Sequence, residues 1–450
     1  MVLFPPIEQT IQPQYHLDLP QRYYRNDPNI FSSKNFHHCS NKYSSTFQPL
    51  NSRGMDPNPY YQMSIFTLTP DIPWVTNSKS KMNQYLAYRK RLASVRPPKD
   101  QMYLNRAYKL TKDLLHRNFQ PLPYLEDQYD RLFDDWLANS KSYGLARKQQ
   151  LRRAKSLLTE DLNRIVLSER DYICKSFVKR EMYEEPKHCR LINSRSDKFK
   201  ALVGPYIHLL EEIMYNHEYH RKSCKPCKFF VKGTDPRDMP GKIKELENFP
   251  FYLETDYSSF ESSFDPTYVD LVECTLWRYM FKNNPTILKA IMNCYVVQRN
   301  GYYLPRVQVL QSSDYTCKVV GARMSGEMWT SLANGFSNLI NMLTICSIKH
   351  IKCSGYVEGD DGLFALDSDN IAPSDFNNLG FDIKMKISKN LENTDFCGNI
   401  FSLTTMHALL PPEQIVRLVW THSTSYFTMK QSKLFELLRM KVMSAYVMGK

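Results

Sequence analysis

Two adjacent aspartates set between two glycines constrain this chain more than any other feature. In IKCSGYVEGDDGLFALD, apolar runs flank Gly359, Asp360, Asp361 and Gly362, the pattern of a hairpin whose glycines release the backbone around a tight turn. Like charges so close repel unless a cation neutralises them, and oxygen-rich carboxylate sites suit magnesium or manganese. An Asp-Gly turn is common by itself, so a metal site needs a further carboxylate from elsewhere in the chain.

The segment FYLETDYSSFESSFDPTYVDL supplies one. It reads as a strand through Phe251, Leu253 and Thr255, then a short turn, then a helix with Asp265 as N-cap and Pro266 at its first position. Asp256 falls at the end of that strand, with Glu261 at the edge of the turn. Taken alone, Asp256 reads first as a turn cap, where a strand-end Asp usually belongs. Together with Asp360 and Asp361 it gives the oxygen ligands for two metal ions that clamp an in-line phosphoryl displacement.

Between these acids lies GARMSGEMWTSLANGFSNLINML, in which Ser325 and Gly326 make a flexible loop before a helix. Leu332, Phe336, Leu339, Ile340 and Leu343 fall on one apolar stripe, the core-facing side. Thr330 and Asn334 lie one turn apart and off that stripe. They are either ordinary polar helix residues or the lining of a ribose pocket, where Asn334 and Glu261 together could hydrogen-bond a 2′-hydroxyl that both donates and accepts.

The charge balance says what such a site would meet. Across 450 residues, 59 basic against 46 acidic side chains give +13, which favours a polyanionic partner, nucleic acid first, over an acidic-surface metabolite enzyme. Residues 81–160, with 17 basic and eight acidic residues, supply most of that excess. They read as solvated helix faces or as a phosphate-facing wall. Residues 1–80 hold ten of the 26 prolines and are expected to form an extended arm that wraps other structure or is partly disordered. In KSFVKREMYEEPKHCRLINSRSDKFK, Lys179, Arg180, Lys187 and Arg190 surround two strand-like patches joined by an acidic turn, a set able to hold a triphosphate. Lys232 and Gly233 precede the Asp256 strand by a short spacing. Eleven cysteines without a repeating framework point to a reducing, intracellular compartment. Cys224 and Cys227, with Cys189 and His188 upstream, make a weak zinc candidate that lacks a second pair. No run of residues is apolar for long enough to make a spanning helix.

Taken in order from about residue 170 to 402, these segments resemble the viral RNA-dependent RNA polymerases of positive-strand RNA viruses, of the tombus-like group. VKRE with KHCRLINSRS resembles motif F, DYSSFE motif A, SGEMWTSLAN motif B (SGxxxTxxxN), GDD motif C, FDIKMKIS motif D and DFCGNIF motif E. The resemblance implies an α+β right-hand polymerase fold of fingers, palm and thumb, with an antiparallel palm sheet flanked by helices. The expected division is an N-terminal arm over 1–80, fingers over 81–250, palm over 251–394 with finger insertions, and motif E with a short or truncated thumb over 395–450.

It further implies templated nucleotidyl transfer from ribonucleoside triphosphates to an RNA 3′ end, replicating and transcribing a viral RNA genome. Two Mg2+ or Mn2+ ions would sit on Asp256, Asp360 and Asp361, which serve as metal ligands and catalytic residues. Lys179, Arg180, Lys187, Arg190, Glu261, Ser325, Thr330 and Asn334 would bind the nucleotide. Family members use a motif D lysine as general acid toward the pyrophosphate leaving group, and Lys384, Lys386 and Lys389 are the candidates. The implied partners are RNA template and product, with a separate viral replication protein holding the enzyme at membrane-associated complexes in the host cytoplasm. Two readings compete: a reverse transcriptase, against which Glu261 and Asn334 argue for ribose, and a catalytically inactive RNA-binding replication scaffold, against which the presence of all three acids counts. Many tombus-like enzymes carry Asp at the position of Glu261, so the reach of that side chain departs from the pattern.

Overall fold

The computed structural model describes residues 31–32, 61–62, 74–75, 81–92, 96–158, 167–179, 181–183, 189–221, 224–299, 302–312, 316–320, 323–409, 420–421 and 430–448. Its elements are helices α1 (Lys81–Leu92), α2 (Gln101–Asn118), α3 (Tyr129–Asn139), α4 (Leu145–Ser156) and α5 (Asp197–Asn216), strands β1 (Cys174–Val178), β2 (Leu191–Ser194), β3 (Phe251–Tyr257), β4 (Val307–Gln311) and β5 (Thr316–Val320), then helix α6 (Thr330–Lys349), strands β6 (Cys353–Glu358), β7 (Asp361–Leu366) and β8 (Ile383–Ser388), and helix α7 (Gln431–Met448), with shorter pieces between. This is a mixed α/β chain with antiparallel sheets and helices, compatible with a polymerase domain.

The sheet that matters has the order β6-β7-β3-β8, antiparallel throughout. Its two faces bury different cores because side chains alternate along each strand. Leu253 and Tyr257 of β3, Val357 of β6, Phe364 and Leu366 of β7 and Ile383 of β8 join the large core with α2, α3, α5 and α6. Tyr252, Tyr356, Leu363 and Ala365 face the opposite way, onto a smaller core with Phe396 and Phe401. Asp256 belongs with Tyr252 by this alternation, so it stands on the small-core face, at the exposed end of its strand.

The local signals act as expected where they are strongest. Asp265 caps the helical turn that starts at Pro266, accepting from Tyr268 N at 2.9 Å. β8 turns Ile383 inward, with Phe381 just before it also buried, and exposes Lys384 and Lys386. Helix α6 departs from the stripe expected of it. Leu332, Phe336, Leu339 and Ile340 are buried, but so are Asn334, Ser337, Asn338, Asn341 and Thr344, while Leu343 is only partly covered. The helix is enclosed between α2 on one side and β6 and β7 on the other, so it has no solvated face along most of its length.

A second sheet, of five strands, carries the basic segment. β1 pairs antiparallel with β2 and parallel with β4, β4 pairs with β5, and the two-residue strand Phe31–Ser32 pairs with β5. Tyr61–Gln62 and Trp74–Val75 likewise pair with Trp420–Thr421 and Met182–Tyr183. These three short pieces of residues 1–80 thus add strands to distant parts of the chain.

Candidate active site

The carboxylates converge because β7 and β3 run side by side. Gly362 registers with Thr255, which sets Asp361 one step on, beside Asp256. Glu358 faces Asp361 across the β6–β7 hairpin. The turn itself passes through Gly359 in the left-handed region, φ +62°. Gly362 serves a different purpose: it lies in β7, where a Cβ would stand 2.7 Å from Thr255 Oγ1, so close strand approach rather than the turn requires it.

A buried asparagine fixes the turn from beneath. Asn338 Nδ2 donates to the Asp360 carbonyl at 3.0 Å and to Thr255 Oγ1 at 3.3 Å, and Tyr257 OH donates to Asn338 Oδ1 at 3.1 Å. Sequence reasoning missed Asn338, although it stands one helical turn beyond Asn334 and so on the same side of α6.

Electrostatically the trio is uncompensated. Among the described residues, Asp256, Asp360 and Asp361 enter no ion pair. The enclosing protein, then the charges of Asp360 and Asp256, push the Asp361 carboxyl up to about 7 even though the residue is open to the cleft. Asp360 is raised by the same partial loss of water and by Glu261, against the pull of Arg190 and Arg323. A divalent cation would relieve this repulsion, so the chemistry of the donor set fits one. Among the described residues, no three acidic, His or Cys side chains are gathered closely enough to enclose an ion.

Across the cleft, Glu261 and Asn334 meet as the sequence suggested. Asn334 Nδ2 donates to Glu261 Oε1 at 3.3 Å. Its Oδ1 accepts from Arg323, a buried arginine that sequence reasoning missed. Arg323 in turn pairs with Glu273 at 2.9 Å and lies over the Phe264 ring, 4.0 Å from its centroid. Thr330 is turned to local structure: its hydroxyl donates to Glu327 O at 3.0 Å and accepts from Gly326 N at 3.2 Å. The Ser325 carbonyl accepts from Asn193 N at 2.7 Å, and a Cβ on Gly326, at φ +95°, would stand 2.7 Å from Asn193 O. The loop before α6 is therefore stitched to β2. A buried Arg195–Glu327 pair at 2.6 Å, also unforeseen, adds a second stitch.

The basic candidates divide. Lys179 and Arg190 both pair with Glu181, at 2.9 and 2.7 Å, and Arg190 still lowers the Asp360 pKa, which sets it toward the turn. Arg180, Lys187 and His188 lie outside the described residues, as do the side chains of Cys224 and Cys227, while Cys189 is buried in the apolar cluster with Cys174 and Leu191. Lys232 borders the cleft and pairs with Glu211 at 3.7 Å. Of the three lysines on and after β8, Lys386 pairs with Glu254 at 3.1 Å and donates to Asn393 O, and Lys389 lies over Phe251. Lys384 registers directly opposite Asp256 and is exposed.

The basic stretch 81–160 resolves into two uses. Arg91, Arg96, Lys99, Arg147 and Lys155 pair with carboxylates of this same chain, as do the exposed Arg117 and Arg131 with acids one helical turn away, whereas Lys112, Arg152 and Arg153 are partly or fully exposed. Neither the solvated face nor the phosphate wall describes the first set.

Glu261, Thr330, Asn334, Asp360, Asp361 and Lys232 share one cleft of about 930 Å³, walled on its far side by α5 and the turn after α3. Among the described residues, no helix is long and apolar enough to cross a membrane. No individually curated protein matches the chain. A family model described as viral RNA dependent RNA polymerase matches residues 105–405, well over half of the sequence and all six motif segments. With that span matched, the chain belongs to the viral RNA-dependent RNA polymerases and is an RNA-directed RNA polymerase.

Proposed function

We propose that the cleft performs two-metal nucleotidyl transfer, in which an RNA 3′-hydroxyl attacks the α-phosphate of a templated ribonucleoside triphosphate and pyrophosphate leaves. The observation that carries this reading is that Asp360 and Asp361 line one cleft with the Glu261–Asn334 pair, while Asp256 stands beside Asp361 in register. In this reading residues 81–250 form fingers, 251–394 palm, and 395–450 motif E and thumb.

Enzymes of this family generally use divalent metal ions. Asp256 and Asp360 would hold them, with Asp361 more peripheral, and the chemistry supplied there would be a lowered pKa for the attacking hydroxyl and neutralisation of triphosphate charge. The chain's own groups do the rest. Asn338 fixes the turn that presents Asp360. Glu261 accepts from the ribose 2′-hydroxyl while Asn334 donates to it, which favours ribose over deoxyribose. Arg190 offsets charge on the triphosphate. Of the lysine candidates, Lys384 is nearest in register to Asp256 and, among the described residues, enters no ion pair, so it is the group placed to give a proton to the leaving pyrophosphate.

The test is magnesium-dependent incorporation of labelled ribonucleotides on an RNA template, wild type against Asp360→Ala. Loss of incorporation with RNA binding intact supports the assignment. Equal incorporation by the two proteins rejects the metal site, and RNA binding without incorporation by either returns the scaffold reading.

A further inference from the structure

The segment just upstream of the family-matched region grips the turn that carries Glu261. Arg96 Nη2 donates to Phe264 O at 2.6 Å and its Nε to Ser262 O at 3.2 Å. Arg96 also stands 3.7 Å from the Asp265 carboxylate, and Lys99 pairs with the same group. Asp100 N donates to Asn378 O at 2.8 Å, tying the segment to the chain just before β8 as well. These contacts hold backbone and the helix cap. The remaining one differs in kind: Arg91 Nη1, from the last turn of α1, stands 3.9 Å from Glu261 Oε2. It reaches the one carboxylate of that turn that also borders the cleft.

Glu261 is thereby held at both oxygens. Oε1 is taken by Asn334, whose amide orientation is set in turn by Arg323, and Oε2 faces Arg91. A glutamate has three rotatable side-chain bonds, and a carboxylate that must meet a hydroxyl at hydrogen-bond distance gains from having them fixed beforehand. An aspartate on the same backbone, one methylene shorter, would not reach Arg91.

We propose that Arg91, contributed from outside residues 105–405, is a positioning residue for sugar selection, holding Glu261 extended into the cleft where the 2′-hydroxyl of the incoming nucleotide arrives. The inference rests on the sugar-selecting role given to Glu261 above. Arg91 touches the carboxylate and not the sugar, so its loss weakens the ribose contact and leaves a deoxyribose, which makes no such contact, unaffected. Both side chains keep about a fifth of their surface in solvent (23% and 20%), so the effect is modest.

The experiment compares CTP with dCTP, incorporated on an RNA template by the full chain, as wild type, Arg91→Gln, Arg91→Lys, Arg96→Gln, Glu261→Ala, Glu261→Asp and the double variant Arg91→Gln/Glu261→Asp. Thermal melts confirm that each is folded. Arg91→Gln is expected to lower the CTP-over-dCTP preference by about two- to fivefold, through KM for CTP with little change in kcat. Arg91→Lys should restore most of it. Arg96→Gln, which loosens the turn as a whole, should slow both nucleotides alike.

In the Glu261→Asp background, Arg91→Gln should change nothing further, because the shortened carboxylate has already left Arg91. Equal losses for CTP and dCTP on Arg91→Gln would overturn the proposal in favour of a phosphate contact or a purely structural role, as would an undiminished effect in the Glu261→Asp background. If Glu261→Ala, which removes the acceptor altogether, leaves the preference unchanged, the sugar reading of Glu261 fails, and Arg91 with it. If Glu261→Ala shifts the preference and Arg91→Gln does not, the Arg91 inference fails alone. Should the wild type incorporate nothing, the same comparison is read from the dissociation constants of CTP and dCTP with the RNA-bound chain, where an unchanged ratio on Arg91→Gln rejects the proposal.

Discussion

The charged groups on the two sides of the cleft are handled in opposite ways. Around the start of α6, carboxylates are buried and each meets a guanidinium: Glu327 with Arg195, where the side chains are 2% and 1% exposed, and Glu273 with Arg323, where both are fully covered. At the β6–β7 turn, Asp256, Asp360 and Asp361 are exposed and, among the described residues, meet no ion-pair partner. Folding completes the first arrangement by itself, since an unpaired buried charge is too costly to leave. The second is left incomplete, and the chain carries mutual repulsion there that only an added positive charge removes.

That contrast can be broken from either side. The largest effect is expected for Asp256→Asn, which keeps the shape of the open trio and removes a proposed metal ligand: primer extension should fall by about a hundredfold to a thousandfold or more, with RNA affinity unchanged. A variant that keeps most of its activity would remove Asp256 from the metal site.

On the paired side, Arg323→Met strands the fully buried Glu273. Denaturant unfolding should register a loss of about 3–5 kcal/mol, and a loss below about 1 kcal/mol would mean that water or Tyr295 and Ser337 suffice for that carboxylate. Next in size, Lys384→Ala should slow single-turnover incorporation about a hundredfold, while Lys386→Ala, whose ammonium is already bound to Glu254 and Asn393, should slow it far less. The reverse ranking would move the proton donor to Lys386.

The smallest effect is a pH dependence that sharpens the comparison. The Asp361 carboxyl titrates near 7 in the fold, above its ordinary value of 3.8. The folded state therefore holds the proton more tightly than the unfolded chain, and its contribution to stability is present below about pH 4 and lost as the pH rises through 7. Without divalent metal, the melting temperature of wild type should fall relative to Asp361→Asn between pH 5 and 8, and magnesium should narrow that gap most at the upper end. Parallel pH profiles for the two proteins would show that Asp361 carries no such strain.

What could be read in advance follows the range of the interaction. The GDD hairpin, the Asp265 cap and the alternation of β8 are set by residues within a few positions of one another, and all were legible. The meeting of Glu261 with Asn334 across 73 residues was legible as well, because a 2′-hydroxyl needs a donor and an acceptor and the sequence offered one of each. Arg323, Asn338 and the Arg195–Glu327 pair were not. Their function is to satisfy buried partners, and which arginine meets which glutamate depends on how helices and sheets come together, not on spacing. The same limit explains the basic stretch: composition registers that Arg91, Arg96 and Lys99 are positive, but not that folding turns them onto Glu261 and Asp265.

The contact at Gly326 has a mechanical consequence. The Asn193 amide donates to the Ser325 carbonyl, and its own carbonyl lies against the face of Gly326 that carries no side chain. The strand β2 and the loop that leads into α6 are therefore joined at this point by a hydrogen bond and a close approach of backbone. A single methyl group, Gly326→Ala, would meet the Asn193 carbonyl at 2.7 Å on a backbone already at φ +95°, and so would press the two segments apart.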